Sequence, residues 1–320
     1  MTDPVAVTGA AGFVGRAVVA QLLASGHRVR AMVHRTQLPI SHPALETVTG
    51  SITDDAALTR LMTGCSGVIQ VAGLVRGRIE ADFLPVNADA VARVAQVAQA
   101  TCAAPRLVLI SSLAAREPDL SPYAASKRAG EARLAAVADD TGLSCAALRP
   151  PAIYGPGDRE LLPLFRLMAR GLTPIPSVPD ARVSLLQVSD LARAAIALLE
   201  SEAQGTFELH DGHTRGYDWD EIAETVERVA GRGRGWRVQV PGAVLLGVAK
   251  ANLLASRLFG YQPMLTPGKV NELRHPDWVC DNTDLSRATG WQPTQSLHDG
   301  LLPLLGGARR KIEESSSNVI

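Results

Sequence analysis

Tyr123 and Lys127 are four positions apart in the segment Tyr-Ala-Ala-Ser-Lys. On a helix with 3.6 residues per turn, positions i and i+4 lie on one face with their side chains stacked. An ammonium beside a phenol stabilises the phenolate, so the pair predicts a tyrosine pKa lowered from about 10 toward neutrality. Such a tyrosine could exchange a proton with a substrate oxygen at ordinary pH. By itself the spacing is also typical of an ordinary surface pair, so the rest of the chain must decide.

A glycine-rich turn follows the first predicted strand, residues 5–8, and leads into an amphipathic helix that ends near residue 25. Glycines let the chain turn tightly and let backbone amides approach a pyrophosphate, whose charge faces the positive end of the helix dipole. A second strand at 28–33 completes the context of a dinucleotide site, which favours this interpretation over a ligand-free turn. The residues expected to contact the dinucleotide here are Gly9, Ala11, Gly12, Phe13, Val14 and Gly15.

Strands and helices alternate through the first half of the chain. Apolar strands at 45–48, 67–72, 106–110 and 145–148 are separated by helices, one of which carries Tyr123. This alternation predicts an α/β fold with a Rossmann-type, doubly wound parallel sheet over residues 1–155. Ligands bind at the carboxyl ends of strands in such sheets, where Ser112 and the glycine turn are both expected.

The pattern changes after residue 156 to shorter elements interrupted by prolines. We predict a smaller, mixed substrate-binding domain over 156–307 and a flexible polar tail at 308–320. Strands near 183–186 and 206–209 are expected to return to the sheet of the first domain.

Residues 244–259 predict a helix with one apolar face. That face carries Val244, Val248, Ala251, Ala255 and Leu258. Core packing is the commonest explanation, and an apolar pocket wall or a membrane interface are the alternatives. The segment is shorter than the ~20 residues of a spanning helix and contains Lys250, Asn252 and Arg257, so no stable membrane insertion is expected.

The composition is that of a soluble cytoplasmic enzyme. The 320 residues include 32 basic and 32 acidic side chains, so no excess of positive charge indicates a nucleic-acid partner. The start of the chain lacks a secretory pattern, and the 4 cysteines lack CxxC spacing, which indicates free thiols in a reducing compartment. The 7 histidines form no ligand cluster, so no metal is expected.

Taken together in order and spacing, these pieces resemble an extended short-chain dehydrogenase/reductase of the NAD-dependent epimerase/dehydratase type. The resemblance covers nearly the whole chain, up to about residue 307. Its motifs are the glycine turn at 8–15, Val71-Ala72-Gly73, Asn87, Ser111-Ser112, Tyr123-x-x-x-Lys127 with Gly130-Glu131, the segment 148–157, Val188-Ser189-Asp190-Leu191, Asp284-Leu285-Ser286 and Gly290-Trp291-Gln292-Pro293.

The resemblance assigns roles to individual residues. Ser112 matches the serine that holds the reacting oxygen, and Tyr123 matches the general acid/base. Lys127 matches the lysine that lowers the tyrosine pKa and binds the nicotinamide ribose. Asn87 is expected to organise the end of the sheet, and an ordinary turn cap is the alternative role for Ser112. Further cofactor contacts are expected from His34, Arg35, Ser51, Ile52, Val71, Ala72, Gly73, Pro150 and Ile153.

The end of the second strand bears on the choice of nucleotide. NAD-specific relatives place a carboxylate there, whereas this chain has Val33-His34-Arg35. An arginine matches a 2′-phosphate with two hydrogen bonds, so NADP(H) is favoured and NAD(H) is the alternative. A simple solvated basic loop would also fit. Ser51 replaces the aspartate that usually contacts adenine in the family.

Two positions bear on the substrate. Nucleotide-sugar enzymes of the family usually have an asparagine where this chain has Ala152, and many have an arginine where it has Val183, with Arg182 one position away. Alanine and valine cannot pair with a buried anion. Residues 147–155 look more like the 3β-hydroxysteroid dehydrogenase and dihydroflavonol reductase branches, which favours an uncharged, apolar small molecule.

The resemblance thus implies an oxidoreductase that moves a hydride between nicotinamide and a carbonyl or hydroxyl carbon. A nucleotide-sugar epimerase or dehydratase is the first alternative. A cofactor-binding scaffold without catalysis is the second, which the complete Ser112, Tyr123 and Lys127 set disfavours. A homodimer is left open.

Overall fold

The computed structural model describes residues 3–102 and 105–306. In chain order its strands are β1 (Val5–Thr8), β2 (Val29–Val33), β3 (Leu45–Thr49), β4 (Gly67–Gln70), β5 (Arg106–Ile110), β6 (Ser144–Arg149), β7 (Ala152–Tyr154), β8 (Leu172–Pro176), β9 (Arg182–Val183), β10 (Leu185–Gln187), β11 (Gly205–Glu208), β12 (Trp236–Val240) and β13 (Asp277–Trp278). Its α-helices are α1 (Phe13–Ala24), α2 (Asp55–Met62), α3 (Glu80–Leu84), α4 (Ala90–Thr101), α5 (Pro122–Thr141), α6 (Leu162–Ala169), α7 (Val188–Leu199), α8 (Trp219–Val229), α9 (Gly242–Phe259), α10 (Pro267–Arg274), α11 (Thr283–Thr289) and α12 (Leu297–Leu305). A π-helical turn covers Pro85–Asp89, and 3₁₀ turns cover Leu113–Arg116 and Pro118–Leu120.

A seven-stranded parallel sheet forms the first half, with strand order β11-β6-β5-β4-β1-β2-β3. The order reverses beside β1, as in doubly wound dinucleotide-binding folds. Helices α1 and α7 pack on one face of the sheet, and α2, α4 and α5 pack on the other. The predicted Rossmann-type α/β fold is therefore confirmed.

Local sequence signals explain where the helices that position the site begin. Asp54 starts α2 by accepting hydrogen bonds from the amides of Ala56 and Ala57. Ser121 starts α5 in the same way by accepting from the Ala124 amide, and Pro122 occupies the first helical position. Helix α5 ends at Gly142, which has the positive φ of 73° that ends many helices.

The second half consists of helices and three two-stranded sheets, which pair β10 with β7, β12 with β8, and β13 with β9. The expected return of residues 206–209 is seen, because β11 pairs with β6 at the edge of the main sheet. The expectation for residues 183–186 is wrong, because β9 and β10 pair outside that sheet. Their partners β7 and β13 lie outside the main sheet, so β10 and β9 make their strand hydrogen bonds there instead. The predicted tail at 308–320 lies outside the described residues.

Helix α9 is exposed over most of its surface. Val244, Val248 and Leu258 are 53%, 54% and 72% exposed, so the core-packing explanation for this helix is wrong. Among the described residues it is the one helix whose length and apolar composition would suffice to cross a membrane, and only 11% of it is buried.

Candidate active site

Tyr123 lies in the first turn of α5, half-buried. The ring of Phe83 meets it edge-on, with 6.0 Å between ring centroids and 65° between planes. The Ser121 cap and Pro122 determine where α5 begins, and so they determine the height of the phenol above the sheet edge. Tyr123 is therefore held by a capped helix start and an aromatic neighbour.

Lys127 follows one turn later and is buried, with 7% exposure. Its Nζ donates to the carbonyl of Ile110, the last residue of β5, at 3.1 Å. The ammonium also lies beside Gly73, where a Cβ atom would be 3.1 Å from Nζ. The predicted pair thus shares one helix face, and Lys127 points to the carboxyl edge of the sheet.

Ser112 follows β5 directly, in extended backbone. Its hydroxyl accepts a hydrogen bond from the Ala114 amide at 3.2 Å and so caps the 3₁₀ turn that follows. Hydrogen bonding by the same hydroxyl also lowers the pKa of the Tyr123 phenol. The capping role and the position beside Tyr123 therefore occur together.

The pKa values of the pair differ from the expectation. Burial raises the pKa of Tyr123 to about 12; the Ser112 hydroxyl lowers it and the Glu272 carboxylate raises it. Burial lowers the pKa of Lys127 to about 8, although Glu131 acts in the opposite direction. The predicted shift of Tyr123 toward neutrality is wrong for the protein alone, because loss of hydration, together with the Glu272 carboxylate, outweighs the hydrogen bond from Ser112.

Asn87 joins three pieces of the site. Its side-chain oxygen accepts from the Leu74 amide at 2.8 Å, and its side-chain nitrogen donates to the Leu74 carbonyl and to Ser126, each at 2.9 Å. Ser126 in turn donates to the Tyr123 carbonyl at 2.7 Å. Asn87 therefore has the structural role expected of it, in a π-helical turn of the kind that is frequent at functional sites.

The glycine turn between β1 and α1 has no room for a side chain at Gly9 or at Gly15. Gly9 has a φ of 66°, and a Cβ there would lie 2.6 Å from the Ala72 amide nitrogen. A Cβ at Gly15 would lie 2.1 Å from the Gly9 carbonyl oxygen. Gly12 begins α1 without a side-chain cap, so the first amides of the helix remain available to an anion. These residues fit a dinucleotide phosphate.

Most of the other predicted cofactor residues follow the carboxyl ends of strands in the main sheet. His34 and Arg35 follow β2 and are exposed, and Ser51 and Ile52 follow the neighbouring strand β3. Ser51 lies 2.9 Å from the Thr53 hydroxyl. Three further predicted segments follow or flank the strands on the other side of β1. They are Val71-Ala72-Gly73 after β4, Pro150 after β6 and Ile153 in β7.

A buried charge cluster beneath Lys127 was not assigned a role from the sequence. Glu131 accepts two hydrogen bonds from the Arg149 guanidinium, at 2.9 and 2.6 Å, and one from the Ser111 hydroxyl at 2.5 Å. Hydrogen bonding to Glu131 is the main reason why the pKa of Arg149 is raised. A signal was present, because Glu131 lies one turn after Lys127 on the same helix face.

Helix α10 contacts the start of α5, next to the candidate site. Glu272 is buried and hydrogen-bonded to the Ser121 hydroxyl, and Lys269 donates to it at 2.7 Å. A Cβ at Gly268 would be only 2.9 Å from the Ser121 Cβ. The hydrogen bond between Ser121 and Glu272 spans 151 positions of sequence. The Ser-Pro start of α5 signals a cap, but nothing local signals its partner.

Arg76 and Glu160 form a second contact that the sequence did not indicate. The Arg76 guanidinium donates to a Glu160 carboxylate oxygen at 2.6 and 3.2 Å. Arg76 lies in the loop after β4, and Glu160 precedes α6, so the pair joins the nucleotide-binding half to the predicted substrate domain.

The positions that bear on a nucleotide-sugar substrate carry no free positive charge. Ala152 is exposed at the start of β7, and Val183 is half-buried in β9. The neighbouring Arg182 donates to the Gly216 carbonyl at 2.9 Å and to Glu221 at 3.2 Å, so its charge is already neutralised within the protein.

Known proteins share this architecture. The model of the NAD dependent epimerase/dehydratase family matches residues 5–209. The chain is 42% identical over 289 residues to a protein named ceramide reductase from Caulobacter vibrioides, covering 88% of this chain and 87% of that one. It is 29% identical over 238 residues to cinnamoyl-CoA reductase 1 from Oryza sativa subsp. japonica, covering 63% and 70%.

Solved structures agree on the fold. The crystal structure of gox2253 has a TM-score of 0.76 at 20% identity, covering 97% of this chain and 99% of that one. MoeE5 in complex with UDP-glucuronic acid and NAD has a TM-score of 0.72 at 23% identity, covering 96% and 99%. With the family match over residues 5–209 and a relative at 42% identity over most of its length, the chain belongs to the NAD-dependent epimerase/dehydratase family.

Proposed function

We propose that this protein is an NAD(P)-dependent oxidoreductase that reduces a carbonyl group of an uncharged long-chain lipid, with ceramide-type lipid amides as the substrate class. The observation that carries the proposal is the 42% identity to ceramide reductase over 88% of the chain. Ala152, Val183 and the neutralised Arg182 support it, because they offer little to an anionic diphosphate.

In the proposed reaction a bound nicotinamide dinucleotide supplies the hydride. The substrate oxygen lies between Ser112 and Tyr123, and the Ser112 hydroxyl holds it by a hydrogen bond. Tyr123 donates its phenolic proton to that oxygen as negative charge develops there. The Lys127 ammonium, one turn away, stabilises the phenolate that remains until it regains a proton from solvent.

The charge states of Tyr123 and Lys127 bear on the proposed proton transfer. With its pKa raised to about 12 by burial, the phenol is protonated at neutral pH, which is the form that enters carbonyl reduction as the proton donor. Lys127, with a pKa of about 8, is mostly the charged ammonium at pH 7. Both groups are therefore in the states that carbonyl reduction requires.

We propose NADP(H) as the preferred cofactor and NAD(H) as the alternative. Arg35 and His34 are exposed after β2 with no carboxylate at the strand end, an arrangement that suits a 2′-phosphate. We propose the cytoplasm as the compartment, because Cys65, Cys102, Cys145 and Cys280 are all free thiols.

The test is a substrate panel with NADPH absorbance as the signal. We expect turnover of a ketone in a long-chain lipid amide presented in mixed micelles, and slower turnover of short ketones. Conversion of UDP-glucose without net NADPH consumption would replace the proposal with an epimerase. NADPH binding without turnover of any carbonyl in the panel would replace it with a non-catalytic cofactor-binding protein.

A further inference from the structure

The side of α9 that faces away from the protein is apolar along its whole length. At 100° per residue, this side is formed by Val244, Gly247, Val248, Ala251, Leu254, Ala255 and Leu258. Leu254 and Leu258 are 59% and 72% exposed, and Phe259 at the end of the helix is 79% exposed. We refer to these seven residues as the α9 face. An exposed apolar strip of this kind is unusual for a free surface and marks an interaction site.

The opposite side of α9 holds the helix flat against the protein. Ala249 and Ser256 are fully buried there, and the Asn252 side chain donates to the Leu265 carbonyl at 2.9 Å. The 18 residues of the helix extend about 27 Å, slightly less than the hydrocarbon thickness of a bilayer. A helix packed in this way cannot cross a membrane, but it can lie in the plane of an interface.

Charge selects the kind of surface that the α9 face would meet. Between residues 228 and 271 the chain contains no aspartate or glutamate, although the whole protein has equal numbers of acidic and basic residues. Of the basic residues in this stretch, Arg234 and Arg237 are ion-paired with Asp220 and Glu227, and Lys269 is ion-paired with Glu272, whereas Lys250 and Arg257 lie on α9 itself. Lys250 and Arg257 occupy neighbouring angular positions on α9, along one border of the α9 face. An apolar strip with a cationic border matches an anionic lipid surface.

Helix α9 is connected to the candidate active site through one layer of structure. α9 packs on α10, and α10 packs on the 3₁₀ turn Pro118–Leu120 just before α5. Asn271 of α10 donates to the Leu120 carbonyl at 3.2 Å, and Glu272 is hydrogen-bonded to Ser121, two residues before Tyr123. A surface that held α9 would therefore lie close to the start of α5, which carries Tyr123.

We propose that the α9 face docks the enzyme on an anionic lipid bilayer, with its leucines in the interface and Lys250 and Arg257 at the phosphate level. The docked orientation lets a lipid substrate pass from the bilayer to Tyr123 without crossing water. That second statement rests on the proposed function, whereas the docking itself rests on the exposure and charge of α9.

Vesicle co-sedimentation of the full chain tests the docking. We expect binding to phosphatidylcholine–phosphatidylglycerol vesicles, weaker binding to pure phosphatidylcholine vesicles, and loss of the difference at high salt. The double variant Leu254→Gln/Leu258→Gln should bind the anionic vesicles about 100-fold more weakly. Each tenfold loss of affinity corresponds to about 1.4 kcal/mol. The double variant Lys250→Gln/Arg257→Gln should weaken binding to the anionic vesicles by about fivefold for each charge removed.

Two control variants match these changes elsewhere on the surface. Leu302→Gln alters a leucine of α12 that is 45% exposed, and Arg287→Gln removes a charge whose side chain is 74% exposed. Both should bind vesicles like the wild type. Wild-type protein that stays in solution with every vesicle, or equal weakening by Leu302→Gln, would overturn the proposal.

Sedimentation velocity without lipid tests the alternative that the α9 face binds a second copy of this chain. A dimer that Leu254→Gln/Leu258→Gln dissociates would assign the α9 face to a second copy of this chain and overturn the proposal. Turnover of a short, water-soluble ketone should stay within twofold of the wild type in the α9 variants. Vesicle binding without any carbonyl turnover would leave the docking supported while the proposed function fails. Carbonyl turnover by a protein that binds no vesicle would support the proposed function and overturn the docking.

Discussion

At pH 7 the Tyr123 phenol is protonated, because burial raises its pKa to about 12. A proton donor of this kind typically contributes ~10²–10⁴-fold to turnover. We therefore expect Tyr123→Phe to lose most of kcat while the Kd for NADPH changes little. NADPH absorbance gives the first quantity and fluorescence titration the second. Tyr261→Phe, which removes another tyrosine hydroxyl, serves as the control. Near-normal turnover by Tyr123→Phe would exclude the phenol as the proton donor.

The titration of Lys127 predicts how reduction depends on pH. Burial lowers its pKa to about 8, so the ammonium is lost as pH rises through that value, whereas Tyr123 still holds its proton. We expect kcat/KM for carbonyl reduction to be level below pH 8 and to fall above it. Lys127→Arg should move this fall to higher pH, because a guanidinium stays charged. A wild-type profile that remains level well above pH 8 would show that the Lys127 charge is not required.

Arg35 tests the choice of cofactor at a single side chain. We expect NADP(H) to bind more tightly than NAD(H). Arg35→Asp should narrow or reverse this preference, because an arginine pairs with the 2′-phosphate of NADP(H), whereas an aspartate pairs with the ribose hydroxyls of NAD(H). Arg28→Asp makes the same charge change before β2, at the opposite edge of the sheet, and should leave the preference unchanged. Equal wild-type affinities for the two nucleotides at moderate salt would contradict the assignment to Arg35.

At the scale of elements, Gly130 lets α5 pack against the turn that carries Asn87. A Cβ at Gly130 would lie 2.1 Å from the Asn87 carbonyl oxygen, so an added methyl group must push the two elements apart. We expect Gly130→Ala to lower the free energy of unfolding by roughly 1–3 kcal/mol, measured by urea titration. It should also lower turnover, because Tyr123 and Lys127 move with α5.

Gly233→Ala is the matched control for this change. A Cβ at Gly233 would meet no atom within 4 Å, and its φ is not positive. Its free energy of unfolding should stay within about 0.5 kcal/mol of the wild type. If Gly130→Ala were equally neutral, close packing of α5 on this turn would not be what positions the pair.

At the scale of the whole molecule, Asp190 ties the last described segment to the nucleotide-binding half. It is fully buried in α7 and accepts from the amides of Thr294 and Gln295, at 2.8 and 3.0 Å. Asp190→Ala leaves these donors unpaired, at a cost of about 1–3 kcal/mol each. We expect a lower urea midpoint and earlier proteolysis after α11. Asp284→Ala, at a side chain that is 79% exposed, should leave both unchanged.

Local patterns were sufficient to predict the sheet and the chemistry at its edge. Apolar strands alternating with helices require a covered parallel sheet, and the turn with Gly9 and Gly15 brings backbone so close that no side chain fits. The spacing of Tyr123 and Lys127 places both on one face of any helix. These features depend on residues close together in sequence, which is why they could be read without a structure.

Long-range packing decided what those residues can do. The pKa of Tyr123 depends on burial and on Glu272, which comes from a helix 149 positions away, and no local pattern encodes either. β9 and β10 pair with β13 and β7 outside the main sheet, and no pattern within residues 182–187 encodes those partners. The sequence of α9 has the pattern of a core helix. Periodicity shows that one side of a helix is apolar, but it does not show whether protein, lipid or water contacts that side.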